Sequence, residues 1–179
     1  YKEQRLAVSM PTFMMGFKDS VRVSGFELLK RRTALGIALS ASLGRSSEIY
    51  SKLYDQGLIN DTFRYEASVD STYGYLAWAG QSPQPKKAAE IILQDMKTIR
   101  REGISKEAFM RVKKAHQGMF IRSLNSSDNI SREIMDTYFN RTCYFDLWKV
   151  YEELDFEYTN QIFNEVIKGE AALSVVNPL

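Results

Sequence analysis

Between Phe63 and Asp70 the chain alternates without a break: Phe63, Tyr65, Ala67 and Val69 are apolar, and Arg64, Glu66, Ser68 and Asp70 between them are polar. A period of two sends successive side chains to opposite faces, so this segment is predicted to be a strand with one buried and one wet face. A second strand is expected from Tyr73 to Gly80, after a tight turn. Just before this hairpin the spacing is helical. Gly44 follows an apolar-periodic run as a glycine beyond a helix end would, and Ser46 is placed to cap a new helix. Ile49, Tyr50, Leu53 and Tyr54 fall on one face of that helix before Gly57 closes it.

The same reading extends in both directions. Gln4 to Lys18 is apolar with a central Pro11, which suggests an edge or bulged strand. Ser24 can cap a long helix carrying Phe26, Leu29, Ala34, Ile37, Ala38 and Ala41. After the hairpin, Pro83 and Pro85 mark the entry to a helix with Ala88, Ile92, Met96 and Ile99, ending at Gly103. Ser105 begins a longer helix with Phe109, Val112, Met119 and Phe120. Asn125 to Asn129 interrupts it, and Ile130, Ile134 and Tyr138 resume the apolar stripe. Two more amphipathic stretches follow, Leu147 to Leu154 and Ile162 to Ile167, and then a short strand from Ala172 to Val176. Strands and helices in this order, with no regular βαβ repeat, indicate an α+β fold. A mostly antiparallel sheet of about four strands is expected, with helices on one face, because Phe63 to Asp70 is too polar on its second side to lie between two layers.

At 179 residues, with 44% apolar and 26% charged positions, the chain suits a single globular domain spanning residues 1–179. Its 24 basic and 22 acidic residues leave a formal charge of +2. The groups Lys30-Arg31-Arg32, Arg100-Arg101 and Arg111 to Lys114 therefore read as solvated helix faces, and neither a nucleic acid nor a membrane is an expected partner. Cys143 stands alone, which excludes an internal disulfide and fits a reducing compartment such as a bacterial cytoplasm. The chain opens at Tyr1 directly into a strand-like segment, as expected of a piece excised from a longer protein.

Candidate chemistry is sparse. One His and one Cys cannot supply a His-based zinc site. His116 shares the apolar stripe of its helix and reads as a hydrogen-bonded histidine at the core edge, while Cys143, beside Tyr144 and Phe145, reads as a buried thiol. The glycines form no phosphate-binding loop, and Glu152-Glu153 fall on exposed helix positions. No catalytic or metal-ligating residue is expected. What remains is the wet face of the hairpin, where Arg64, Glu66 and Ser68 project together, as an ordinary solvent face or as the wall of a binding cavity.

The run LGRSSEIYSKLYDQGLINDTFRYEASVDSTYGYLAWAG, Leu43 to Gly80, resembles the corresponding region of the pitrilysin or insulysin family of zinc metallopeptidases. The leading strand, the helices from Pro85 and the closing strand also sit where that family's repeated domain puts them. The resemblance implies the second, non-zinc-binding domain of a bacterial member, with the family's metallohydrolase-like α+β fold. Such a domain pairs with a homologous amino-terminal domain, or a paired subunit, to enclose a chamber for a peptide substrate. The active domain carries H-x-x-E-H and a distal glutamate around zinc. That motif is absent here, so the resemblance implies zinc in the amino-terminal domain of a parent zinc metalloendopeptidase and none in this chain. Many second domains of the family contribute an arginine and a tyrosine close to the short helix. Aligned on Leu53 and Gly57-Leu58, those positions are Tyr54 and Asn60 here. The competing readings are a noncatalytic scaffold or assembly subunit of the same fold, and a stand-alone module binding peptide or nucleic acid.

Overall fold

Pro11 divides the first apolar segment into two strands, β1 (Lys2–Leu6) and β2 (Thr12–Lys18). Far from lying at an edge, β2 is the middle strand, because Pro11 falls in the connection and leaves every residue of β2 free to pair. In chain order there follow α1 (Gly25–Leu43), α2 (Glu48–Asp55), β3 (Arg64–Val69), β4 (Gly74–Gln81), α3 (Pro85–Glu102), α4 (Lys106–Ser123), α5 (Ser127–Phe139), α6 (Asp146–Glu153), α7 (Phe156–Ile167) and β5 (Ala171–Pro178). These come from a computed structural model that describes residues 1–179.

The five strands, one more than the pattern suggested, form a single sheet in the order β1-β5-β2-β4-β3. Three pairings are antiparallel and one, β1 with β5, is parallel. The fold is thus the expected α+β arrangement with a mostly antiparallel sheet. The extra strand is β1, whose Lys2–Leu6 are exposed throughout and carry no apolar alternation to announce them.

The register divides the sheet cleanly. Phe13, Met15 and Phe17 of β2 share one face with Leu76 and Trp78 of β4 and Val175 of β5. All six are buried under the helices. The same core takes in α1, whose Leu35, Ile37, Ala38, Leu39 and Leu43 are all 0–1% exposed. The helix is buried nearly all round because it touches β3 on one side and α4, α6 and α7 on the other. Removing side chains such as Trp78 or Phe163 from water supplies about 25 cal/mol per Å² of apolar area and dominates the stability of such a core.

Local signals place the helix ends to within a residue. The cap of α2 is Ser47, not Ser46: its Oγ accepts from the Tyr50 N–H at 3.1 Å. Gly57 ends that helix at φ 64°, a left-handed conformation that glycine adopts without a Cβ clash. Gly44 lies at φ −64°, so α1 ends without the left-handed glycine its position suggested. Ser105, Ser126 and Asp155 cap α4, α5 and α7 through their side-chain oxygens.

Candidate functional site

The opposite face of the sheet carries no helix. Register sets its rows: Arg64, Ala79, Met14, Ser174 and Lys2 lie side by side across all five strands, and Glu66, Ala77, Gly16 and Ala172 form the next row. Ser68, Tyr75 and Lys18 form a third. Arg64, Glu66 and Ser68 therefore share one open face, as their alternation in sequence requires.

The centre of this face is low. Ala77, Gly16 and Ala172 give it a floor of small side chains, and β2 runs so close to β4 that a Cβ on Gly16 would stand 2.3 Å from the Leu76 carbonyl oxygen. Polar groups rise at one side. The Arg64 Nη1 donates to the carbonyls of Asp61 at 2.6 Å and Phe63 at 3.0 Å, which holds the guanidinium beside the strand end. The Tyr75 hydroxyl donates to Glu66 Oε1 at 2.6 Å, and that bond pushes its pKa above the ordinary tyrosine value. Tyr73 stacks on Tyr75 with ring centroids 6.2 Å apart. Tyr75 and Lys18 belong to this surface although the pattern did not single them out. Carrying the period of two from the first strand into the second would have found Tyr75.

The two positions taken from the family alignment lie elsewhere. Asn60 accepts from the Thr62 N–H at 2.9 Å and donates through Nδ2 to Gln81 Oε1 at 3.4 Å, which places it at the rim of the bare face where β4 ends. Tyr54 stacks on Tyr50 at 5.8 Å, and Tyr50 in turn packs edge-on against Phe63. Tyr54 makes no hydrogen bond to Asn60, Arg64, Glu66 or Ser68.

The donor set does not fit a zinc ion, since no three His, Cys, Asp or Glu side chains gather anywhere in the chain. His116 is half-buried on α4, its Nε2 lies 3.4 Å from Ser40 Oγ, and burial lowers its pKa below the usual imidazole value. Two expectations need correction. Cys143 is exposed, because it sits in the turn before α6 where Tyr144, not the thiol, enters the core. Arg31 is no solvated helix-face group: it is 3% exposed and ion-paired with Asp19, which follows β2, and with Glu165 of α7. Helical periodicity cannot distinguish a basic residue beside a buried carboxylate from one in water.

An α+β domain with one helix-covered and one bare sheet face is the architecture of the M16-like peptidases. The chain superposes on an M16-like peptidase from Alicyclobacillus acidocaldarius with a TM-score of 0.93 and 29% identity, over 99% of this chain and 43% of that one. It is 29% identical over 170 residues to the zinc protease YmfH of Bacillus subtilis (strain 168), 94% of this chain and 40% of that protein. The inactive peptidase domain of a zinc protease from Bordetella parapertussis shares the fold, with a TM-score of 0.80 at 10% identity, over 98% of this chain and 95% of that one. No protein-family model matches the chain. The resemblance read from Leu43 to Gly80 is borne out as a likeness: the chain is similar to an M16-like peptidase and to a zinc protease, and it spans about two fifths of YmfH. No helix is long and apolar enough to cross a membrane.

Proposed function

We infer that this chain is the non-catalytic, chamber-lining domain of a zinc-dependent peptidase, the carboxy-terminal half of a longer protein whose amino-terminal domain holds the metal. The bare sheet face carries this reading. A sheet covered by helices on one side only leaves an ordered, low-floored surface, and here that surface is edged by Arg64, Glu66, Ser68, Tyr75 and Lys18. The name of the Bacillus subtilis relative, a zinc protease more than twice the length of this domain, supports zinc in the parent protein. On this reading the other domain would hold that zinc, since no set of three donor side chains gathers here. Peptide bound by the partner domain would lie against this wall, with Asn60 at its rim as a further contact, whereas Tyr54, stacked on Tyr50 of α2, would meet peptide only beyond the sheet face.

The test is Arg64→Glu in the full-length protein, with zinc content and peptide turnover measured on the same preparation. Zinc should remain stoichiometric. The kcat/KM ratio between acidic and basic peptides should move by about tenfold, equivalent to about 1.4 kcal/mol. Unchanged ratios across several peptides would remove Arg64 from the wall, and a full-length protein without peptidase activity would favour the scaffold reading.

A further inference from the structure

Helix α5 is amphipathic the wrong way round. Of its 13 residues Thr137 alone is buried, and the apolar side chains Ile134, Met135, Tyr138 and Phe139 are 43%, 61%, 76% and 75% exposed. On a helical wheel Met135 and Phe139 fall opposite Thr137 and Ile130, Tyr138 on the flank and Ile134 at the border of the inner side, so the four form one continuous exposed arc. Even the inner side is loosely seated. A groove of about 300 Å³ separates Asn129 and Glu133 from α4 and α6, and His116, Met119, Tyr144 and Leu147 line its other wall. The helix is tied down by the Arg32–Asp136 ion pair at 2.6 Å and by the turn after it, where the Thr142 N–H donates to the Thr137 carbonyl at 2.8 Å.

Isolated helices shorter than about 12–15 residues are marginal in water, and most helical stability comes from packing an apolar face. A stripe of four large side chains without charge, rimmed by Asp128, Arg132 and Asp136, therefore needs an apolar surface opposite it. Neither a polar peptide nor a nucleic acid meets that need. The two relatives at 29% identity carry more chain beside this domain than within it, since it accounts for 40% and 43% of their lengths. We propose that the outward stripe of α5 is an interdomain docking surface, packed against the companion domain of the same full-length protein. The proposal rests on the chamber-lining reading only for the existence of that companion, and its test needs no peptide turnover.

The experiment compares maleimide labelling of Met135→Cys and Lys87→Cys, each in a Cys143→Ser background of the full-length protein. Lys87 is an exposed α3 position and serves as reference. Met135→Cys should label about tenfold or more slowly than the reference, as a site opened only by local separation does. In the 179-residue chain alone the two should label at similar rates. Should that chain fail to fold, limited proteolysis of full-length Tyr138→Asp replaces it, with new cleavage between residues 127 and 145 expected. Labelling of Met135→Cys as fast as the reference in the full-length protein would overturn the proposal, as would an absence of new cleavage. Protection in the 179-residue chain that grows with its concentration would also overturn it, because a second copy would then be the occupant. An unaltered peptide preference in Arg64→Glu would count against the wall and leave α5 docking standing.

Discussion

Arg31 meets Asp19 as a fork, its Nε and Nη2 each donating to a different carboxylate oxygen at 2.8 Å. Both side chains are almost wholly buried, and Arg31 Nη1 reaches on to Glu165 at 3.2 Å. The contact ties the end of β2, the first turns of α1 and the outer helix α7 into one unit. Paired buried charges add modest net stability, but removing one partner leaves the other desolvated and alone. Arg31→Leu should therefore cost about 3–5 kcal/mol in urea unfolding. The double variant Arg31→Leu/Asp19→Leu should recover much of that loss, and a double variant as unstable as the single one would show that the fork is not the cause.

Two glycines of opposite environment offer a paired measurement. At Gly16 an added Cβ would meet the Leu76 carbonyl oxygen at 2.3 Å, and backbone cannot step aside as a flexible side chain can. Gly16→Ala should destabilise by about 1–3 kcal/mol, as overpacking does. A Cβ on Gly36, within α1, would meet nothing inside 4 Å. Gly36→Ala should stabilise by up to about 1 kcal/mol through helix propensity. A midpoint that rises in Gly16→Ala or falls in Gly36→Ala would contradict the reading of that site.

His116 links stability to pH. Burial on α4 lowers its pKa below the ordinary value of 6.5, with Ser40 as its near polar neighbour. Between the ordinary and the lowered value the unfolded chain binds a proton that the folded chain does not. Stability therefore rises with pH through that window and falls as pH drops through it. Thermal melts should show the wild type losing more stability than His116→Gln between neutral and mildly acidic pH. Parallel losses would assign the acid sensitivity to other groups.

Tyr75 restrains Glu66 on the bare face through their 2.6 Å hydrogen bond. Tyr75→Phe removes the donor of a hydrogen bond made at the surface and should leave the melting temperature unchanged while freeing the carboxylate. In the full-length protein, peptide preference should move toward basic residues at the position that meets Glu66. A loss of folding with no change in preference would make the bond structural.

Much of this architecture could be read from spacing. The alternation from Phe63 to Val69 fixed which side of β3 faces the helices, and Tyr65, Ala67 and Val69 do pack inward. Periodicity failed where burial depends on elements distant in sequence. It joined Ile130, Ile134 and Tyr138 in one apolar stripe, whereas Ile130 is half-buried and Ile134 and Tyr138 are exposed, because spacing defines a helix face but not what that face meets. It took Lys30, Arg31 and Arg32 as one basic group, although Asp19 lies beside Arg31 only once β2 and α1 are assembled. The bare face was legible on β3 and incomplete beyond it, since Tyr75 and Lys18 join Ser68 only through strand register.

The parallel pairing of β1 with β5 sets Lys2 opposite Ser174 and Leu6 opposite Pro178. These partners are separated by more of the sequence than those of any other ladder in the sheet, so their loop closure carries the largest entropic cost. β1 brings no buried side chain to offset that cost, so its attachment is expected to come last in assembly. The order of strand formation is thereby biased from the middle outward, with the outermost ribbon acting as a latch that closes after the rest has set.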